Sequence, residues 1–147
     1  MCWKLFNSRV CQVILGAGAM RSAGLKNITA KHLALASQSL AVMIALIPKL
    51  KECISRHLTL KQAAHLSEFD RIVNDYKNHQ GEIHAKLVAI MNERFTAHVK
   101  AMQAIQWDEE DPQTGKNANM YMETLVTETV RLHKVLAKYL PVNDLKV

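Results

Sequence analysis

Apolar residues recur at intervals of three and four along most of this chain, which is the spacing of one face of an α-helix. The clearest stretch predicts a helix over 29–56 with a seam of the kind found between packed bundle helices. This seam consists of Leu33, Ala36, Leu40, Met43, Ile47, Leu50 and Ile54. Four further apolar residues widen the stripe, namely Leu35, Val42, Ile44 and Leu46. We therefore expect a central helix with several neighbours, kinked or broken at Pro48, which lacks a backbone N–H.

A helix over 3–23 is predicted ahead of this one. Its apolar face contains Leu5, Val10, Val13, Ile14 and Ala17. Gly16 and Gly18 each weaken it by about 1 kcal/mol relative to alanine. Gly24 can adopt the left-handed conformation that ends a helix at little steric cost, and Asn27 or Thr29 can cap the next helix. The segment 24–37 is thus a helix stop, a turn and a helix start.

A third helical segment is predicted to open at the capping box Thr59-Leu60-Lys61-Gln62 and to continue to Ile105. A straight helix of this length would measure roughly 60 Å, so we expect a bend near Gly81 or around Asn92. The acidic stretch 107–118 has no apolar period and predicts an exposed, flexible loop. A last helix is predicted over 119–140, ended by Pro141.

These elements predict an all-α protein, an elongated antiparallel bundle of four to five long helices within one domain over residues 1–147. The periodic positions also predict the residues of its core. They are Leu33, Leu40, Ile47, Ile54, Phe69, Tyr76, Ile83, Leu87, Leu132 and Leu136.

Composition agrees with a helical class. Hydrophobic residues make up 49% of the 147 residues, whereas proline (3) and glycine (5) are too scarce for the turns of a sandwich or barrel. The three cysteines are an odd number, and a reducing cytosolic setting is the simplest interpretation. The purest apolar run, 41–47, is too short to span a bilayer, and the N-terminus does not resemble a signal peptide. Any membrane contact is therefore expected at the cytosolic surface.

Positive charge is concentrated in the first part of the chain. Residues 1–61 contain nine lysines and arginines against one acid, whereas the remainder contains ten against twelve. Such a basic half attracts anionic lipid or an acidic partner, or is simply a solvated surface. The candidate membrane or partner surface comprises Lys26, Lys31, Lys49, Lys51, Arg56 and Lys61. Nucleic acid is the weakest option because adjacent cations and interleaved aromatic residues are lacking.

One polar stripe suggests metal chemistry. Asp75, His79, Glu82 and Lys86 follow one another at intervals of four, three and four, which places them on one helix face. Carboxylate and imidazole groups on such a face ligate metals in some bundles, but a matching set on a second helix is lacking. The simpler interpretation is a surface ladder of Asp75–His79 and Glu82–Lys86 pairs.

The sequence predicts no enzyme. It contains no nucleophile elbow, no HExxH motif, and no cysteine in a context that suggests activation. The glycines at 16 and 18 lack the third glycine and the preceding strand of a dinucleotide site. We therefore expect no catalytic residues, no cofactor, no metal and no small-molecule substrate.

Two stretches resemble the C-terminal domain of the vacuolar protein sorting fifty-four family. The first is Gly24-Leu25-Lys26-Asn27-Ile28-Thr29-Ala30-Lys31-His32-Leu33-Ala34-Leu35-Ala36-Ser37, followed by Leu46-Ile47-Pro48. The second runs from Glu68-Phe69-Asp70 through Asp75-Tyr76, His79 and Glu82-Ile83 to Lys86-Leu87-Val88-Ala89-Ile90-Met91. The resemblance covers roughly residues 10 to 100, and the acidic loop and last helix fit it only in position and character.

This resemblance implies a subunit of the Golgi-associated retrograde protein (GARP) tethering complex, which captures endosome-derived vesicles at the trans-Golgi network. It also implies a helical-rod bundle without catalytic residues, located on the cytosolic face of the trans-Golgi network and endosomes. The chain is then a fragment of a longer protein. Its partners are the other subunits and, through a peripheral contact, the endosomal membrane or its membrane proteins. Two alternatives remain: a plain helical scaffold that packs against other subunits, and a metal-dependent bundle enzyme.

Overall fold

The computed structural model describes residues 2–16, 28–59, 63–105 and 120–145. Within these ranges the chain forms four α-helices and two short 3₁₀ turns, and no strand. The helices are α1 (Cys2–Ile14), α2 (Ala30–Ser55), α3 (Ser67–Gln103) and α4 (Met120–Leu136), and the 3₁₀ turns are Ala63–Leu66 and Val142–Leu145. The predicted all-α class is confirmed.

Helix α2 has nearly the predicted bounds. Thr29 has an extended backbone, and its N–H donates to Nδ1 of His32 at 3.1 Å, which fixes the start of the helix locally. The expected break at Pro48 is wrong, because the helix continues through this residue to Ser55. The neighbouring Ile47 is fully buried. Packing of this kind offsets the roughly 3 kcal/mol that an interior proline costs.

Helix α3 begins later than the capping box suggested. A 3₁₀ turn precedes it and the α-helix starts at Ser67, while residues 60–62 lie outside the described part. From there α3 runs without interruption through Gly81 and Asn92 to Gln103, a length of about 55 Å.

The first and last helices are shorter than predicted. Helix α1 ends at Ile14 instead of continuing to 23, and the amide of Gly16 donates to the carbonyl oxygen of Cys11 at 2.9 Å. Residues 17–27 and the predicted acidic loop 107–118 lie outside the described residues. Helix α4 ends at Leu136, four residues before the predicted end. The turn that follows leads into Pro141, which disfavours helical geometry in the residue before it.

Helices α1 and α4 pack against a central pair formed by α2 and α3. These two run antiparallel, since Lys51 bonds Asp70 near one end and Ser37 bonds Gln80 further along. Helix α1 lies against the first half of α3, and α4 lies against its second half and against the start of α2.

The buried apolar side chains come mainly from α2 and α3. They are Ile14, Leu33, Ala34, Ala36, Leu40, Ile47, Ile72, Tyr76, Ile83, Leu87 and Leu140. Six of the ten predicted core residues are buried: Leu33, Leu40, Ile47, Tyr76, Ile83 and Leu87. The other four, Ile54, Phe69, Leu132 and Leu136, are partly exposed. The second group lies toward the ends of α2 and α3 and on α4, where fewer neighbours cover a side chain.

Helix α2 also has the length and apolar composition to cross a membrane, alone among the helices in the described ranges. The short run 41–47 therefore understates the apolar length of the whole helix. A central core helix passes the same test, and α2 contributes six buried residues. Ser37, at its buried face, bonds side chains of α3. These contacts identify α2 as the central core helix of this fold.

Candidate functional site

One exposed side of α2 carries an apolar stripe. Leu35, Val42 and Leu46 lie one or two turns apart and are about half exposed. Lys31 and Lys49 are exposed at the two ends of this stripe. We call these five residues the α2 outer face. Its central side chains are apolar and its ends are cationic, which is a pattern typical of a contact surface rather than of a solvated helix.

The structure does not bring the six predicted basic residues into one uniform patch. Lys51 donates to both carboxylate oxygens of Asp70 at 2.7 Å, and Arg56 pairs with Glu52 at 2.7 Å. These pairs neutralise Lys51 and Arg56 at modest gain in stability, because surface pairs are largely solvated. Lys26 and Lys61 lie outside the described residues. Of the six, Lys31 and Lys49 remain exposed without an ion pair among the described residues.

A second apolar surface lies between α3 and α4. A groove of about 410 Å³ separates the two helices and extends to the C-terminal 3₁₀ turn. Its apolar lining includes Leu87, Val88, Met91, Phe95, Leu132, Leu136, Leu140 and Leu145. Val88 and Phe95, on the α3 side of the groove, are partly exposed. On the other side, α4 has no buried residue. This loosely packed groove is a second place where a protein partner can contact the bundle.

A serine and a histidine meet in the core without forming an active site. Oγ of Ser37 lies 2.7 Å from Nε2 of His84, a distance suited to a nucleophile and its base. The carboxamide of Gln80 donates to both the carbonyl oxygen and Oγ of Ser37 at 3.2 Å. Ser37 is fully buried, so a substrate has no path to its hydroxyl. The three side chains therefore form a polar link between α2 and α3.

The predicted surface ladder on α3 is wrong at His79. This residue faces α1, is only 5% exposed, and its Nδ1 lies 2.7 Å from Oδ1 of Asn7. The carboxamide oxygen can only accept, so Nδ1 carries the proton and Nε2 is left buried without a partner. Among the described residues, the ion pairs include neither Asp75–His79 nor Glu82–Lys86. No group of three potential metal ligands occurs there either.

The burial of His79 changes the pKa of its imidazole. Desolvation by burial lowers the pKa of this imidazole, and the nearby charge of Glu82 opposes the shift only in part. His79 and Glu82 line a cleft between α1 and α3, whose other titratable groups are Lys4, Cys11, Arg71 and Asp75. Protonation would place a charged, unpartnered N–H between α1 and α3, so the folded state favours neutral His79.

We expect acidification to weaken the docking of α1. Because the folded pKa of His79 lies below the unfolded value of about 6.5, the unfolded state binds more protons in acid. The stability due to neutral His79 is complete above about pH 6.5 and is lost as the pH falls from there toward the folded pKa. Urea unfolding at a series of pH values measures this loss.

The matched variant is His79→Gln, which keeps an N–H for Asn7 and cannot titrate. It should show a smaller decrease in stability between neutral and mildly acidic pH than the original chain. Identical pH profiles for the two proteins would assign the acid sensitivity to other groups.

A family model described as Vps54-like protein matches residues 1–94, which is more than half of the chain. The chain belongs to this family. The match includes α1, α2 and most of α3, the helices that supply the α2 outer face and nearly all of the buried core. The family resemblance inferred from segments 24–37 and 68–91 is confirmed.

Individual members of the Vps54-like family show the same relation. The chain is 37% identical over 145 residues to vacuolar protein sorting-associated protein 54, chloroplastic, of Arabidopsis thaliana, covering 97% of this chain and 14% of that protein. It is 49% identical over 92 residues to the Homo sapiens vacuolar protein sorting-associated protein 54, covering 63% of this chain and 9% of that protein. With the Drosophila melanogaster protein of the same name the identity is 38% over 141 residues, which is 94% of this chain and 13% of that protein.

The chain thus spans a small fraction of the length of these relatives, about a seventh or less. The matched domain lies at the C-terminus of full-length Vps54 proteins. No solved structure matches the chain significantly. The name that these relatives share refers to vacuolar protein sorting.

Proposed function

We propose that this chain is a non-enzymatic domain of a multisubunit vesicle-tethering complex. The complex would act in retrograde transport from endosomes to the trans-Golgi network, and this domain would contribute to endosome or vesicle association. Membership of the Vps54-like family is the observation that carries the proposal. The partners are then the other subunits of the complex and, peripherally, the endosomal membrane. The site of action is the cytosolic face of the trans-Golgi network and endosomes.

The proposed architecture is an elongated antiparallel bundle of the helical-rod type. Three observations support it: α3 is about 55 Å long, α2 and α3 run antiparallel, and α1 and α4 pack along different halves of α3. In this proposal the ten predicted core residues hold the rod together, and the outward surfaces are left for partners.

The α2 outer face is the proposed membrane contact. Apart from Glu52, which pairs with Arg56, α2 contains no carboxylate, so Lys31 and Lys49 present uncompensated positive charge around apolar side chains. Lysines near an anionic bilayer contribute about 1 kcal/mol each. Contact of this kind is peripheral and sensitive to salt.

Charge reversal tests this contact. The double variant Lys31→Glu, Lys49→Glu should reduce flotation of the chain with phosphatidylcholine–phosphatidylserine vesicles by roughly tenfold or more. Flotation with phosphatidylcholine alone should be low for both proteins. The matched control is Lys100→Glu, Lys134→Glu, which reverses two exposed lysines on α3 and α4. Equal flotation of the original chain with both vesicle types would remove the lipid contact.

The plain scaffold remains the second candidate, favoured by the apolar groove between α3 and α4. In that case Phe95→Ser should weaken assembly with other subunits of the complex while leaving vesicle flotation unchanged. Co-purification of the subunits with the variant chain measures this effect, and Lys100→Ser on the same helix is the control for an exposed substitution.

A further inference from the structure

Three cationic side chains from three different helices line one cleft. The cleft lies where the start of α2 meets the second halves of α3 and α4, and its volume is about 410 Å³. Lys31 comes from α2, Arg94 from α3 and Arg131 from α4. The remaining lining residues are Thr29, Ala30, Glu128, Leu132 and Val135. Because these positions are far apart in sequence, the convergence is a product of the fold.

The positive charge in the cleft exceeds the negative charge. Lys31, Arg94 and Arg131 are exposed, and no ion pair within the described ranges includes them. The single carboxylate of the lining, Glu128, lies 3.3 Å from Nε2 of His98 and is engaged with that residue. The lining therefore contains three cationic residues and one carboxylate, a formal net charge of +2. Three converging cations repel one another unless an anion lies between them.

Backbone groups add to this field. The amides of His32 and Leu33 donate to the carbonyl oxygen of Thr29, and the Thr29 N–H donates to His32. Ala30 and Lys31 form the first turn of α2, where the backbone amides have no acceptor within the helix itself. The α2 N-terminus also carries the positive end of the helix dipole. The N-terminal turn of α2 and three cationic residues thus line the same cleft.

We propose that this cleft binds a phosphate monoester group. Such a group carries a charge of about −1.5 to −2 at neutral pH, which matches the charge of the lining. The planar guanidinium groups of Arg94 and Arg131 are suited to bidentate contact with phosphate oxygens, and the helix amides to a third oxygen. The lining contains no aromatic ring on which a nucleobase could stack. Recognition is therefore of the phosphate, not of a base.

Two sources supply this chemistry: a phosphorylated inositol headgroup in a membrane, or a free phosphate ester. The first would deepen the proposed membrane contact. The binding site itself does not rest on that function, because a soluble phosphate occupies it equally well. The experiment therefore has a soluble arm and a vesicle arm.

The soluble arm is a titration of the chain with inorganic phosphate, followed by the backbone amide resonances. We expect saturable shifts centred on Ala30 and Lys31. Loss of the two guanidinium groups in Arg94→Gln, Arg131→Gln should weaken binding about tenfold or more, since charge-assisted hydrogen bonds are the strong ones. The matched control Lys49→Gln, Lys134→Gln removes two exposed cations outside the cleft and should leave the phosphate affinity within about twofold.

The vesicle arm compares vesicles containing phosphatidylinositol monophosphate with phosphatidylserine vesicles of equal total charge. Preference for the phosphatidylinositol monophosphate vesicles that is lost in Arg94→Gln, Arg131→Gln identifies the headgroup as a source. Phosphate binding in the soluble arm without a preference between the vesicles identifies the soluble ester. Absence of saturable shifts at Ala30 and Lys31 overturns the proposal, as does an equal loss of affinity in the control variant. Vesicle flotation that depends on Lys49 but not on Arg94 and Arg131 would leave the membrane function standing without this site.

Discussion

Replacing Leu40 with alanine is expected to lower the free energy of unfolding by about 2–5 kcal/mol. Leu40 is fully buried on α2, at the side that packs into the common core. Alanine removes buried apolar surface and leaves a cavity, because the surrounding helices can relax only in part. Urea unfolding followed by far-ultraviolet circular dichroism measures the difference.

The matched control for Leu40→Ala is Leu46→Ala on the same helix. Leu46 is 47% exposed and belongs to the α2 outer face, so its truncation should cost roughly 1 kcal/mol or less. The two substitutions change helix propensity equally, and their difference therefore isolates burial. Equal costs at the two positions would mean that Leu46 is as buried as Leu40, and therefore that α2 is rotated about its axis.

This pair of leucines also shows what the sequence could predict. Apolar spacing predicted α2 nearly to the residue because its seam, its cap and its exposed lysines all agree. The spacing placed Leu40 in the seam and Leu46 among the residues that widen the stripe, but its seam also included Met43, Leu50 and Ile54, which are only half-buried. Which side of such a helix is buried depends on the neighbours, and these are set by contacts between residues far apart in the chain.

His79 and Lys51 illustrate the same limit for polar residues. A helical wheel places His79 beside Asp75, and it says nothing about α1, which approaches this face and supplies Asn7. Likewise Lys51 counts as one positive charge in the sequence until Asp70, on another helix, pairs with it. The convergence of Lys31, Arg94 and Arg131 had no sequence signal, because three isolated cations on three helices form no local motif.

The observed helix boundaries differ from the predicted ones where local sequence signals were weak or competed with tertiary contacts. Pro48 predicted a kink or a break, yet α2 continues through this residue, where Ile47 is fully buried. The capping box at Thr59 suggested a start eight residues before the α-helix begins at Ser67, and a 3₁₀ turn lies between them. Single-residue signals thus predicted where the chain can change direction, whereas packing determined where it does.

Tyr76 is the residue at which the attachment of α1 is expected to be most sensitive to substitution. Its ring is fully buried and lies 6.2 Å, between centroids, from the ring of Phe6. Its hydroxyl donates to the backbone carbonyl oxygen of Trp3 at 2.8 Å. Burial also raises the pKa of this phenol, so the hydroxyl stays protonated and remains a donor.

Two substitutions at Tyr76 separate the ring from the hydroxyl. Tyr76→Phe retains the ring and leaves the Trp3 carbonyl without its donor, at a cost of about 1 kcal/mol. Tyr76→Ala removes the ring as well and should cost about 3–5 kcal/mol, as other buried aromatic residues do. Both free energies come from urea unfolding, and hydrogen exchange of the α1 amides supplies the local readout.

For Tyr76→Ala we expect exchange over residues 2–14 to increase more than exchange in the centre of α2, because α1 loses both its ring contact and its hydrogen bond to α3. Tyr76→Phe should raise α1 exchange only slightly, since Phe6 keeps its aromatic neighbour. A uniform increase throughout the chain would show instead that Tyr76 stabilises the α2–α3 pair. In that case the Asn7–His79 hydrogen bond, which lies one turn further along both helices, would be the contact that holds α1 in place.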